Sequence, residues 1–203
     1  MKRFQTRKVI GILLLIFIAS VCSGQNSYRD RLLQPDKIMD LIGVRPGMMI
    51  GEGGAGQGYF TFKLAARVGE TGRIYANDIS KRALDVLEDR CREREVNNIT
   101  TVMGEVEDPL FPTTQLDMVF MVAAFHDFAE PVEWLVNVKR YIKPDATLVI
   151  VEKDPKKLSR GSSHHMTVDE ILEAAEKAGY ELVGLEDFLE QDNVFVFRPF
   201  PKK

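Results

Sequence analysis

Apolar and polar positions alternate between two periods along most of the chain. Over Pro35–Ile42, Ile38, Leu41 and Ile42 share one side and Gly43 follows, which predicts a short helix. Arg45-Pro46-Gly47 reads as a turn into a first strand, Met48–Gly51. Tyr59–Val68 carries Phe60, Leu64 and Val68 at a spacing of four, a helical stripe. Gly69–Gly72 reads as a turn, and Arg73–Asn77 as a second strand. Ser80 is placed to cap a helix to about Val96, with Leu84, Leu87 and Cys91 inward. Ile99–Met103 and Leu116–Val122 are the third and fourth strands, and Pro131 opens a helix through Tyr141. Thr147–Val151 is an unbroken apolar run suited to a buried parallel strand. Thr167-Val168-Asp169-Glu170 is a capping box for a helix ending at Gly179. Leu182–Leu185 and Val194–Phe197 predict a closing antiparallel pair.

Strands that alternate with helices define an α/β class with a mostly parallel sheet. The length of 203 residues suits one domain with a substantial core. The N-terminus departs from this pattern. Lys2, Arg3, Arg7 and Lys8 precede Val9–Val21, 13 residues that are apolar except for Gly11 and Ser20. A run this short suits a signal peptide or signal anchor better than a full span. The expected organisation is therefore a leader over 1–24, a polar linker over 25–34 and a domain over 35–203. The leader predicts an exported domain whose membrane contact is confined to that segment; if the leader is misread, the domain is cytoplasmic. Removing its four positive charges takes the net charge from −3 to −7. An acidic domain argues against nucleic acid as the main partner. Cys91 is the only cysteine besides Cys22, and its helical spacing reads as a packed thiol.

The densest chemical signal follows the first strand. Glu52, Gly54, Gly56 and Gly58 form an acid-x-Gly-x-Gly-x-Gly pattern. Glycine there lets the backbone approach a ligand closely and adopt positive φ. Gly51, Gly53 and Gly56 also satisfy the dinucleotide fingerprint, so an NAD-binding oxidoreductase is one reading. Glu52 disfavours it, because an acid before the second glycine pair would repel a pyrophosphate. Asp78, 20 residues beyond Gly58, suits ribose hydroxyls in either family.

With its downstream segments the pattern resembles the class I S-adenosylmethionine (SAM)-dependent methyltransferases, from about Leu32 to Arg198. Pro46-Gly47-Met48 precedes the first strand as in that family, and Tyr75–Ser80 looks like its second motif. Val102–Asp108 looks like the third, Leu116–Met121 like the fourth strand, and Tyr141-Ile142-Lys143-Pro144 like the turn before strand five. Asp145 and Ala146 replace the family's two glycines there, which puts that turn's geometry in question. The resemblance implies a doubly wound, mostly parallel seven-stranded sheet with an antiparallel last strand, a Rossmann-like methyltransferase fold. It implies SAM as cofactor, with Glu52, Gly54, Gly56 and Gly58 in the glycine turn. Asp78 would hold the ribose, Ile79 would pack on the adenine, and Glu105 and Val106 would meet its edge.

Each site residue also has an ordinary structural reading. Glu52 and Asp78 could cap helices, and Glu105 lies in an acidic run with Glu107 and Asp108 that suits a solvated loop. His126 and Asp127 follow the fourth strand, where this fold presents its substrate, and are the catalytic candidates. His126 is the one group there that titrates near neutrality and could act as a base; beside Phe125 and Phe128 it could equally be a packed side chain. His164-His165 has no neighbouring acid or cysteine at ligand spacing, so no metal is expected and the pair reads as surface loop or lid. The expected function is methyl transfer to an unidentified, small-molecule acceptor. Because SAM is made in the cytoplasm, an exported domain raises a second reading, a non-catalytic ligand-binding module of the same fold.

Overall fold

The structure, a computed structural model, describes residues 28–158 and 164–201. The predicted leader lies outside the described residues. The described residues fall into two units that part between Gln34 and Pro35. Residues 28–33, expected as linker, are helical. Among the described residues no helix is long and apolar enough to cross a membrane.

The second unit is a single seven-stranded sheet in the order β3-β2-β1-β4-β5-β7-β6. Its strands are β1 (Met49–Gly53), β2 (Arg73–Asp78), β3 (Ile99–Met103), β4 (Leu116–Val122), β5 (Ile142–Lys153), β6 (Tyr180–Glu186) and β7 (Asp192–Pro199). β1 to β5 pair in parallel, and β7 runs antiparallel to both β5 and β6. The helices are α1 (Pro35–Leu41), α2 (Thr61–Val68), α3 (Lys81–Glu93), α4 (Pro131–Val138) and α5 (Val168–Lys177). Strand order reverses at β1, whose neighbours are β2 and β4, and this is where an open α/β sheet leaves its crevice.

Local chemistry accounts for most element ends. Ser80 Oγ accepts the N–H of Ala83 and starts α3. Thr167 and Glu170 form the predicted capping box of α5, with the Glu170 carboxylate accepting from Thr167 N–H at 2.7 Å. Those bonds hold the Glu170 carboxyl below its ordinary pKa. α2 starts at Thr61 rather than Tyr59, because the turn of the glycine loop extends through Phe60. β1 runs to Gly53, so Glu52 belongs to the strand and not to the turn.

The largest departure is strand five. The segment from Ile142 to Ala146, expected as a turn, is extended and continuous with the apolar run. Neither Asp145 nor Ala146 is among the residues of positive φ, so the missing glycines carry no strain. Asp117 anchors this end of the sheet. Its Oδ2 accepts Met49 N–H at 2.8 Å and its Oδ1 accepts Lys143 Nζ at 2.6 Å, tying β1, β4 and β5 together.

The main core packs Trp134, Leu135 and Val138 of α4 and Ile171 of α5 against Phe195 and Phe197 of β7. A smaller cluster of Ala55, Ala76 and Leu87, with Phe62 and half-buried Cys91, fills the other face. Burial raises the Cys91 thiol pKa, as a packed cysteine requires. Tyr180 is buried, and its hydroxyl donates to Leu135 O at 3.0 Å, linking β6 to α4. Tyr180→Phe is expected to cost about 0.5–1.5 kcal/mol of stability, the net worth of one such bond. Urea denaturation of the variant measures it, and a neutral result would mean that the bond does not tie β6 to α4.

Candidate active site

The carboxyl ends of β1, β2 and β4 build the site. The chain leaves β1 through Gly54 at φ +66° and Gly56 at φ +56°. A side chain at Gly54 would put a Cβ 2.4 Å from the Ala124 Cβ, so the β1 and β4 ends touch only because Gly54 has none. The adjacent β2 end is tied to this turn. Ala55 N–H donates to Asn77 O at 2.9 Å, and Gly56 N–H donates to Asp78 Oδ2 at 2.8 Å. Asp78 Oδ1 accepts Ser80 N–H at 2.8 Å, so one carboxylate joins the glycine turn to the start of α3.

These ends surround a cavity of about 260 Å³ whose wall includes Gly54, Asp78, Ile79, Glu105, Val106 and Asp127. Asn77, Phe128 and Trp134 line it too. Ile79 and Val106 are exposed at 59% and 48%, a degree of exposure that suits apolar groups awaiting a flat ligand. Asn77 is buried and donates its amide to Val102 O and Pro109 O, which holds the loop after β3. Glu105 belongs to that loop. Its N–H donates to Asp108 O at 2.8 Å, and Asp108 is gripped by Arg140 and by the Tyr141 hydroxyl. The acidic run is therefore pinned through Asp108, while Glu105 and Glu107 are exposed as in a solvated loop. Glu52 is only 2% exposed within β1 and does not line the cavity. Gly56 and Gly58 shape the turn without reaching the wall.

On the β4 side, Ala123 takes a positive φ of 49° and leads into a 3-10 turn, Phe125–Asp127. A non-glycine residue in that region is strained and needs compensation. Glu152, at the end of β5 and 1% exposed, supplies it. Its Oε1 accepts the N–H groups of Ala124, Phe125 and His126 at 2.9, 2.7 and 3.3 Å. Its Oε2 meets His126 Nδ1 at 2.8 Å. The carboxylate thus fixes both the backbone of the turn and the plane of the His126 ring.

His126 points its other nitrogen outward, with Nε2 3.6 Å from Asp127 Oδ2. Asp127 Oδ1 in turn meets His164 Nε2 at 3.2 Å. His164 is exposed, as a surface loop or lid predicts, and the pair packs against the turn after β4. Both rings lie edge-on to His126, with centroids 5.1 and 4.9 Å away. Sequence spacing misses the grouping because its members come from three separate segments. Burial, reinforced by the neighbouring His126 and Lys153, pushes the His165 pKa below its ordinary value. Of the residues overlooked in the sequence, Glu152 had a usable signal, an acid directly after the apolar run of strand five. Asn77, Phe128 and Trp134 had none, since their role depends on packing.

The sequence matches the methyltransferase-domain family over residues 45–184, well over half of the chain. The chain belongs to that family. Its fold is that of the class I, Rossmann-like SAM-dependent methyltransferases: a SAM-dependent methyltransferase from Aquifex aeolicus superposes with a TM-score of 0.79 at 24% identity, covering 83% of this chain and 91% of that one. The glycopeptide N-methyltransferase MtfA, solved with sinefungin, superposes with a TM-score of 0.67 at 12% identity, over 84% and 87% of the two chains. Among sequence relatives, the ubiquinone/menaquinone biosynthesis C-methyltransferase UbiE of Ectopseudomonas mendocina (strain ymp) is 30% identical over 56% of this chain and 45% of its own. A demethylmenaquinone methyltransferase of Geobacillus sp. (strain WCH70) is 27% identical over 62% and 54%. The chain spans about half the length of these curated relatives.

Proposed function

We propose that this protein transfers the methyl group of SAM to a small, ring-containing acceptor bound beside Asp127 and Phe128. The observation that carries the reading is the single cavity wall shared by Gly54, Asp78, Ile79, Val106 and Asp127. It joins the glycine turn and the acid after β2, which suit a nucleoside, to the turn after β4, where an open α/β sheet receives its substrate.

The residues present fit SAM. Gly54 keeps the wall clear of a side chain, and Asp78 offers carboxylate oxygens that ribose hydroxyls can reach. Ile79 and Val106 offer exposed apolar surface for an adenine. When bound, SAM supplies a methyl group already activated by its sulfonium. The protein's task is then to align an acceptor and exclude water. Phe128 and Trp134, with ring centroids 4.9 Å apart in an edge-to-face pair, form an aromatic side of the cavity that suits a flat acceptor. The relatives named for ubiquinone, menaquinone and demethylmenaquinone favour the same class of acceptor.

Calorimetric titration of the full chain is expected to show binding of SAM and S-adenosylhomocysteine and none of NAD. Labelled-methyl transfer is then expected with small phenols and hydroquinones. Binding of NAD without SAM would reverse the cofactor assignment. Tight SAM binding without transfer to any ring-containing acceptor would remove the acceptor class.

A further inference from the structure

We infer that His126, Asp127 and His164 form a binding site for one divalent transition-metal ion at the rim of the cavity, with Glu152 as its outer carboxylate. The ligand atoms are His126 Nε2, an Asp127 carboxylate oxygen and His164 Nε2. Two groups bound about 2.1 Å from one ion at roughly right or tetrahedral angles stand about 3.0–3.4 Å apart. Asp127 Oδ1 and His164 Nε2 are 3.2 Å apart, within that range. The other Asp127 oxygen, Oδ2, is 3.6 Å from His126 Nε2, just beyond it, so a small turn of the exposed Asp127 carboxylate is part of forming the site. All three ligand atoms lie within 4.8 Å of one another, so a small inward movement of the exposed His164 ring completes the set.

Glu152 is the second, independent observation. A metal-binding imidazole usually donates its other N–H to a carboxylate, which fixes the tautomer and strengthens the ligand. Here Glu152 Oε2 holds His126 Nδ1 at 2.8 Å, while three backbone N–H groups saturate Oε1. The His126 side chain is 8% exposed and Glu152 2%, so the ring cannot swing away from its carboxylate. With Nδ1 occupied, the nitrogen left to bind an ion is Nε2, the one that faces Asp127.

Two imidazoles and one carboxylate select Zn²⁺, Co²⁺, Ni²⁺, Mn²⁺ or Fe²⁺ over Mg²⁺ and Ca²⁺, which prefer oxygen ligands. Asp127 also lines the cavity, which puts one of the three ligands beside the acceptor. On the proposed methyltransferase reading, the ion takes an oxygen of the acceptor as ligand and orients the ring against Phe128. Metal binding itself does not depend on that reading.

The test uses the untagged full chain, stripped with chelator and titrated with Co²⁺ in the absence of SAM. One equivalent is expected to bind with ligand-field absorption, to be displaced by Zn²⁺ and to be unaffected by excess Mg²⁺. His164→Ala and Asp127→Asn, both at exposed side chains, are expected to leave the circular dichroism unchanged and to abolish the absorption. Glu152→Gln keeps an oxygen for the three N–H groups and is expected to weaken Co²⁺ binding by about 10–100-fold. His165→Ala is expected to leave binding unchanged. No Co²⁺ binding, equal competition by Mg²⁺, or loss with His165→Ala in place of His164→Ala each overturns the proposal. SAM titration of the same stripped protein is read separately, so failure of the metal site and failure of the cofactor assignment are distinguishable.

Discussion

Trp134→Ala is expected to lower the free energy of unfolding by about 3–5 kcal/mol, the range for removing a large aromatic from a core. Trp134 is the chain's single tryptophan and is 2% exposed. Its ring stands edge-on to Phe128 and fills the space above Gly53, where an added Cβ would lie 2.8 Å from its Cη2. It also lines the cavity, so truncation merges the void with the site instead of leaving a closed hole. Solvent can then reach the α4–β1 contact, and SAM affinity is expected to fall with stability. Trp134→Phe retains an aromatic against Phe128 and is expected to recover more than half of the loss. Urea denaturation followed by circular dichroism gives the stability term, with the midpoint shifted and the slope unchanged. A cost below about 1 kcal/mol would mean that the surrounding α4 contacts collapse onto the void and that Trp134 does not hold the site open.

The fold was legible wherever one segment carried its own period. The capping box at Thr167, the Ser80 cap and the antiparallel closing pair are local features, and the structure has all three. The seven-stranded order was not legible from periodicity; it came with the family resemblance. Strand five was read too short because Pro144 and Asp145 are turn residues by composition. They are extended here because β4 pairs with Ile142 before a register shift, and Lys143 is held by Asp117. The same limit applies to the site. Asp78 and the glycines were readable because an acid after the second strand, 20 residues beyond Gly58, is a known pattern, whereas Glu152 reaches His126 across 26 positions that match no motif. A sequence shows that an acid ends an apolar run. It does not show which strand lies beside it, and therefore not that the acid captures the turn after β4.

Asp78→Ala is expected to weaken SAM binding by about 1.5–3 kcal/mol, roughly 10- to 150-fold, with the fold intact. The range is that of hydrogen bonds to a charged group. Two contributions enter it, because the Asp78 carboxylate already holds Gly56 N–H and Ser80 N–H at 2.8 Å each. Truncation removes an acceptor for ribose hydroxyls and also frees the glycine turn from α3. Ligand fragments separate the two. Adenine carries no ribose, so its affinity responds only to the turn and to the apolar surfaces of Ile79 and Val106. Adenosine and SAM respond to the ribose contact as well. If Asp78 binds ribose directly, the variant loses affinity for SAM and adenosine while adenine is little changed, and 2′,3′-dideoxyadenosine is insensitive to the substitution. Equal losses for all four ligands would assign Asp78 to holding the glycine turn alone. Asp78→Asn sharpens the distinction. Its carbonyl oxygen can still accept one of the two N–H groups, but its amide cannot accept the other. A SAM affinity between those of the wild type and the Asp78→Ala variant, with adenine unchanged, supports the ribose contact. Wild-type SAM affinity in both variants removes Asp78 from the cofactor site.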